Sequence, residues 1–273
     1  MAVRPSFHPG RPVQITFLDS ADGTRLRTLK WGDGARDALI VHGLAEHAGR
    51  YSHVAETLAT RGWTVTVLEL RGHGHSGGRR GYVNRWDDYV ADVRAAVATL
   101  RPGWSLLAHS MGGLVALEAV RLGLAPARLA LSNPLLGVRV KAPAVKIAAA
   151  KTLSRFWPTL SLGNELDSKM LSRDPVVGKA YDADPLVYST LTPRWYTEMT
   201  ATQGRVHNMS APPIPLAFFL SDSDPICDPP AAEGLARRLG AHLQIYPGMF
   251  HEIFNEIGKE QVITDVATWL EGA

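Results

Sequence analysis

The segment Leu106-Leu107-Ala108-His109-Ser110-Met111-Gly112-Gly113 constrains the fold more than any other. An apolar run from about Ser105 stops at a serine with a small residue two positions before it, Ala108, and another two positions after, Gly112. A helical pattern rich in Ala, Val and Leu then runs over residues 112–124. A buried strand turning sharply into a helix needs small neighbours, because the two backbones pass close together at the turn. The apex residue is held in a strained conformation that pushes its side chain beyond the sheet. Ser110 is therefore expected at such an apex, with Ala108 at a position more often filled by Gly. The plainer alternative makes Ser110 only a helix N-cap, a place that Ser favours.

The rest of the chain supplies a matching frame. Residues 13–18 alternate like a strand, Ala21-Asp22-Gly23 makes a turn, and residues 26–31 read as the returning strand. Ala38-Leu39-Ile40-Val41 is a short continuous apolar run, the mark of a strand covered on both faces. A helix through Val54, Leu58 and Ala59, a strand over 63–70 and a helix with Trp86, Tyr89, Val90, Val93, Val97 and Leu100 on one face follow. After the serine segment comes a strand at 128–131. Strands alternating with helices imply a parallel, doubly covered sheet. The rhythm breaks after Asn133-Pro134 and resumes with a strand at 215–220, a helix at 230–239, a strand at 243–246 and a last helix carrying Val262, Ile263, Val266, Trp269 and Leu270. Residues 134–209 are expected to form an inserted cap at the carboxyl edge of the sheet, where open α/β folds bind ligands. Residues 1–133 and 210–273 would form the core.

Composition excludes several classes. The 273 residues are enough for one α/β domain with an insertion, and a net charge of +3 without long basic runs gives no case for nucleic acid. One cysteine, Cys227, allows no internal disulfide and fits a reducing, cytoplasmic setting. No stretch approaches the roughly 18 to 20 apolar residues of a membrane span, and the first residues lack a signal-peptide core. A soluble intracellular protein is expected.

Two further strand ends carry chemistry. The strand at 215–220 ends in Ser221-Asp222-Ser223-Asp224-Pro225-Ile226-Cys227-Asp228, and the strand at 243–246 ends in Pro247-Gly248-Met249-Phe250-His251-Glu252. The chain order Ser, Asp, His is that of the α/β-hydrolases. Ser110 would be the nucleophile, His251 its general base and Asp224 the group that orients the imidazole, with Asp222 and Asp228 as rival acids. The oxyanion would meet the backbone N–H of Met111 and a second N–H from the His42-Gly43-Leu44 turn, assigned to Leu44. His73 and His75 sit beside glycines without ligand-like spacing and read as loop-stabilising hydrogen-bonding groups. No metal and no cofactor is implied.

Taken together, His42-Gly43-Leu44-Ala45-Glu46-His47 with Gly49-Arg50-Tyr51, Gly72-His73-Gly74-His75-Ser76, His109-Ser110-Met111-Gly112-Gly113 and Tyr181-Asp182-Ala183-Asp184-Pro185-Leu186 resemble the monoacylglycerol lipase and lysophospholipase-like branch of the α/β-hydrolases. The resemblance spans about residues 13–270. It implies an eight-stranded, mostly parallel sheet with helices on both faces and a helical cap over an acyl tunnel. It also implies that Glu46, Arg50, His109 and Tyr181 receive the glycerol end. From the residues alone, Glu46 and Arg50 read as readily as a salt bridge anchoring the oxyanion loop, and Tyr181 as cap packing. Leu44-Ala45 and Phe254 depart from the branch's smaller pair and additional His, which makes the alcohol pocket less polar.

The resulting expectation is a serine hydrolase of lipid esters, monoacylglycerols first, releasing fatty acid and glycerol. Its alternatives are a broad carboxylesterase or lysophospholipase and, more remotely, an inactive hydrolase fold that binds a ligand. A peptidase or acyltransferase fits the glycerol-end residues less well, and dehalogenase chemistry wants an acid at position 110. The expected partner is a small lipid ester. Lys141, Lys146, Lys151 and Arg155 among Val145, Ile147, Leu153, Phe156 and Trp157 add a second expectation, peripheral membrane contact through the cap. The sequence assigns no oligomeric state.

Overall fold

The computed structural model describes residues 14–139, 144–164 and 166–272, with backbone alone at 144–146. Val13, Lys141 and the side chains of Val145 and Lys146, which entered the expectations above, lie outside the described residues.

Eight strands form one sheet: β1 (Gln14–Asp19), β2 (Arg25–Trp31), β3 (Arg36–Val41), β4 (Trp63–Glu69), β5 (Ser105–His109), β6 (Leu129–Ser132), β9 (Leu216–Ser221) and β10 (His242–Tyr246). Their spatial order is β1-β2-β4-β3-β5-β6-β9-β10. β1 and β2 pair antiparallel, as do β2 and β4, and the remaining neighbours are parallel. The missing numbers belong to β7 (Leu162–Gly163) and β8 (Thr190–Leu191), a small separate ladder. Two-residue strands have no periodicity to read, so no sequence pattern announced them.

The alternation of side chains across each strand divides the core in two. Leu39, Val41, Leu106, Ala108, Leu129, Leu131, Phe218 and Leu220 face one layer. It is built by α2 (Trp86–Val97), α3 (Met111–Arg121) and α7 (Pro229–Arg238). The intervening residues Ala38, Ile40, Leu107, Ala130, Ala217 and Phe219 face the other, built by α1 (Ser52–Thr60) and α8 (Lys259–Glu271). Strands apolar on both faces must be covered on both, and the expected doubly covered sheet forms.

Among the described residues between β6 and β9, none joins the large sheet. This stretch holds α4 (Ala144–Phe156), β7, α5 (Pro175–Asp182), β8 and α6 (Pro193–His207). α6 is not remote from the core: Trp195, Met199 and Val206 enter the same cluster as α2 and α3, and the Trp195 ring lies 5.8 Å from that of Trp86. Arg205 of α6 also pairs with the buried Glu118 of α3 at 2.7 Å. α4 in turn rests on α6, with Ser154 Oγ 2.8 Å from Thr197 Oγ1.

Because β3, β5, β6, β9 and β10 run parallel, their carboxyl ends share one edge. The loops leaving that edge carry Gly43, Ser110, Asn133, Asp224 and His251.

Candidate active site

Ser110 occupies the turn from β5 into α3 with φ 51° and ψ −118°, outside the regions that L-residues normally adopt. Close packing imposes this conformation. A Cβ on Gly112 would stand 2.5 Å from the carbonyl oxygens of Val41 and His42, and one on Gly113 would stand 2.7 Å from Pro134 Cβ. Ala108, fully buried between its β3 and β6 partners Val41 and Leu131, has room for its methyl group.

His251 Nε2 lies 2.9 Å from Ser110 Oγ, and His251 Nδ1 lies 2.7 Å from Asp224 Oδ2. The other Asp224 oxygen accepts the N–H groups of Ile226 at 2.8 Å and Cys227 at 3.0 Å. The rival acids are elsewhere: exposed Asp222 accepts from Gly248 N–H and Ser223 Oγ–H, and Asp228 is the N-cap residue of α7. Burial opposes charge on both members of the pair. Even so, His251 holds the Asp224 carboxyl below its ordinary value, and Asp224 holds the imidazole well above 6.5. The arrangement thus favours an imidazolium against a carboxylate, the charge state that forms when Ser110 gives up its proton.

The Cys227 thiol, pushed up by burial, brings to three the donor atoms within 4.8 Å of one another, with Asp224 and His251. The carboxylate and imidazole of this set are bonded to each other. His73 instead contacts the Arg71 carbonyl at 2.9 Å and the Tyr188 hydroxyl at 2.7 Å, and the His75 side chain is exposed.

The loop after β3 is anchored from several sides. Glu46 Oε1 accepts the Gly43 N–H and the Tyr51 hydroxyl proton, and Glu46 Oε2 faces Arg50 Nε at 3.3 Å. His42 Nδ1 lies 2.7 Å from the Gly43 carbonyl, and its Nε2 accepts the Leu70 N–H at 3.1 Å. Burial lowers the His42 pKa, which keeps the imidazole neutral and able to donate at one nitrogen while accepting at the other. With the Gly43 carbonyl fixed, planarity directs the Leu44 N–H to the opposite side. A Cβ on Gly43 would lie 3.2 Å from Ser110 Cβ, so this peptide runs against the serine. Among the described residues neither Leu44 N–H nor Met111 N–H has an acceptor. Met111 is the first residue of α3, where helix N–H groups are unpaired and favour negative charge.

Glu46, Arg50 and Tyr181 gather as one group. Arg50 pairs with Glu46 and with Glu252, and its guanidinium stands 5.0 Å from the centre of the Tyr181 ring. The geometry agrees with the loop-anchor alternative for Glu46, since protein donors already engage both of its oxygens. His109 stands on the other side of Gly43 from Glu46: a Cβ on Gly43 would meet Glu46 Oε1 at 2.8 Å and the His109 ring at 3.2 Å. Its Nδ1 is 3.1 Å from Ser132 Oγ and its ring 4.8 Å from that of His251. Burial, then the nearby His251 charge, bring its pKa down to about 3. Phe254 is buried in the layer formed with α1 and α8. A cavity of about 260 Å³ adjoins Tyr181 and is bounded also by Asn164, Leu166, Asp184 and Tyr188. Sequence reasoning missed two residues: His42, seen only as part of a loop, and Asn133, seen only as the end of the regular alternation.

The sequence pattern of the family described as serine aminopeptidase, S33 matches residues 36–258. A monoacylglycerol lipase of Mycolicibacterium smegmatis is 34% identical over 243 residues, covering 85% of this chain and 86% of that protein. A Bacillus subtilis phospholipase is 31% identical over 235 residues, covering 82% of this chain and 90% of that protein. The crystal structure of Paleococcus ferrophilus monoacylglycerol lipase superposes with a TM-score of 0.85 at 30% identity, covering 90% of this chain and 98% of that one. A match of this extent in both sequence and architecture establishes that the chain belongs to the serine aminopeptidase S33 family of α/β-hydrolases, in the branch that holds the monoacylglycerol lipases.

Proposed function

We propose that this protein hydrolyses carboxylic esters of lipids, with monoacylglycerols as the first substrate class, through an acyl-enzyme on Ser110. The observation that carries the proposal is the hydrogen-bonded relay from Ser110 Oγ through His251 to Asp224. His251 takes the serine proton as Oγ attacks the ester carbonyl, and Asp224 stabilises the imidazolium. The N–H groups of Leu44 and Met111 receive the oxyanion; one such donor is worth about 3 to 4 kcal/mol in the transition state. His251 then protonates the departing glycerol and activates the water that releases the fatty acid.

Residues 134–209 act in this proposal as a cap, with Tyr181 and Arg50 toward the alcohol end of the substrate. No helix among the described residues is long and apolar enough to cross a membrane. We place the protein in the cytoplasm, touching anionic lipid surfaces through the end of α4. There Phe156 is 65% and Trp157 66% exposed, close in sequence to Lys151, Arg155 and Leu160. Sedimentation with anionic vesicles that persists at high salt after Phe156→Ser and Trp157→Ser would refute this contact.

Hydrolysis rates on a panel of monoacylglycerols, lysophosphatidylcholine and short aryl esters test the main proposal, with Ser110→Ala as blank. Monoacylglycerol should be the best substrate and the blank should be inert. Preference for lysophosphatidylcholine would favour the second reading, a lysophospholipase, which the phospholipase relative supports.

A further inference from the structure

β5, β9 and β10 supply the loops bearing Ser110, Asp224 and His251, and β6 lies between β5 and β9 in the sheet. The turn leaving β6, residues 132–135, touches all three loops. Ser110 N–H donates to the Ser132 carbonyl at 3.0 Å, and Leu135 N–H donates to the Ser110 carbonyl at 2.9 Å. The positive φ of Ser110 is thus held from both sides.

Asn133 reaches the other two loops with one side chain. Its Oδ1 accepts the Ser221 N–H at 2.8 Å, at the end of β9 and three residues before Asp224. Its Nδ2 donates to the His251 carbonyl at 2.7 Å and faces the Phe250 carbonyl at 3.4 Å. Its own N–H donates to the Phe219 carbonyl at 3.2 Å. The amide can point only one way, because one neighbour offers an N–H and the others offer carbonyls. Asn133 is buried, 3% exposed, with φ 38°. Among side chains larger than hydrogen, Asn and Asp tolerate such a φ best. Only Asn also provides an acceptor and a donor on the same planar group.

We infer that Asn133 is a positioning residue: its amide ties the His251 peptide to the end of β9, so that the imidazole reaches Ser110 and Asp224 together. The inference rests on the proposed roles of Ser110 and His251. Glycine at this position keeps the backbone conformation but leaves the Ser221 N–H and the His251 carbonyl without the amide. Aspartate keeps the shape and turns an acceptor toward two carbonyl oxygens. Either change lets the imidazole drift, and a displacement of about 1 Å in a reacting group costs up to about 100-fold in rate.

The test uses the full chain, a soluble aryl ester and Asn133→Gly, with Asn133→Asp carrying the test should the glycine variant fail to fold. Active sites are counted by fluorophosphonate labelling, so that rates refer to competent molecules. The expected result is a fall in kcat per labelled site of about 10- to 100-fold with KM within about twofold of wild type. The acid limb of the kcat/KM profile should move toward the ordinary histidine range, because the imidazole has lost part of its pairing with Asp224. A variant with fewer labelled sites but unchanged kcat per site and unchanged pH midpoint would overturn the inference. Retained activity in Ser110→Ala would instead defeat the underlying nucleophile assignment, so the two failures are distinguishable.

Discussion

Glu46 separates two physical roles, and its replacement shows which one operates. One carboxylate oxygen accepts both the Gly43 N–H and the Tyr51 hydroxyl, and the other faces Arg50. In Glu46→Gln the carbonyl oxygen still serves Gly43 and Tyr51, while the amide NH2 confronts a guanidinium. The variant loses one charge-assisted hydrogen bond, worth about 2 kcal/mol. Arg50 keeps Glu252, so no buried charge is stranded. A loss of that size lowers the melting temperature by about 5 °C in a domain of this length. The oxyanion loop stays anchored, so rates should fall less than about 10-fold. In Glu46→Ala the Gly43 N–H and Tyr51 hydroxyl lose their acceptor, each at about 1 to 3 kcal/mol. The Leu44 N–H is then free to turn away, at about 100-fold in kcat. The assay compares a monoacylglycerol with an aryl ester that has no glycerol. An anchored loop serves every ester, so both rates should fall together. Loss confined to the monoacylglycerol, with aryl ester turnover intact, would refute the anchoring argument and make Glu46 a contact for the alcohol.

Other consequences are open to the same kind of check. With the His251 pKa held above 6.5, kcat/KM should rise with pH to a midpoint above that value; Asp224→Asn should move the midpoint down and cut kcat by about 10⁴-fold. The same pair contributes to stability with a different pH dependence. The raised histidine stabilises the fold below 6.5 and its contribution fades as pH rises through the folded value. The depressed aspartate stabilises above 3.8 and its contribution is lost as pH falls through the folded value. Wild type should therefore exceed Asp224→Asn in melting temperature most clearly between 3.8 and 6.5, where it turns over slowly. Gly112→Ala would place a methyl group 2.5 Å from two carbonyl oxygens, so fluorophosphonate labelling should slow and stability drop by about 1 to 3 kcal/mol. Trp86→Ala, at a fully buried ring between α2 and α6, should cost about 3 to 5 kcal/mol in denaturant unfolding without altering the pH midpoint of catalysis.

The sequence by itself determined the elements and their class. Apolar periodicity is a local property, so the unbroken runs of β3, β5 and β9 and the helical face from Trp86 to Val93 were readable from neighbours a few residues apart. The order Ser110, Asp224, His251, each after a strand end, was readable for the same reason. Tertiary structure decided which aspartate meets the imidazole, because Asp222 and Asp224 share a loop and differ only in where the backbone aims them. It alone brought Arg50 to Glu252, 202 residues away, and Asn133 to His251, 118 residues away. It also seated α6 against α2 and α3 within a stretch that shows no strand–helix rhythm. Such contacts depend on how distant segments meet at one sheet edge, and a hydrogen bond sensitive to tenths of an ångström leaves no trace in local hydrophobic patterning.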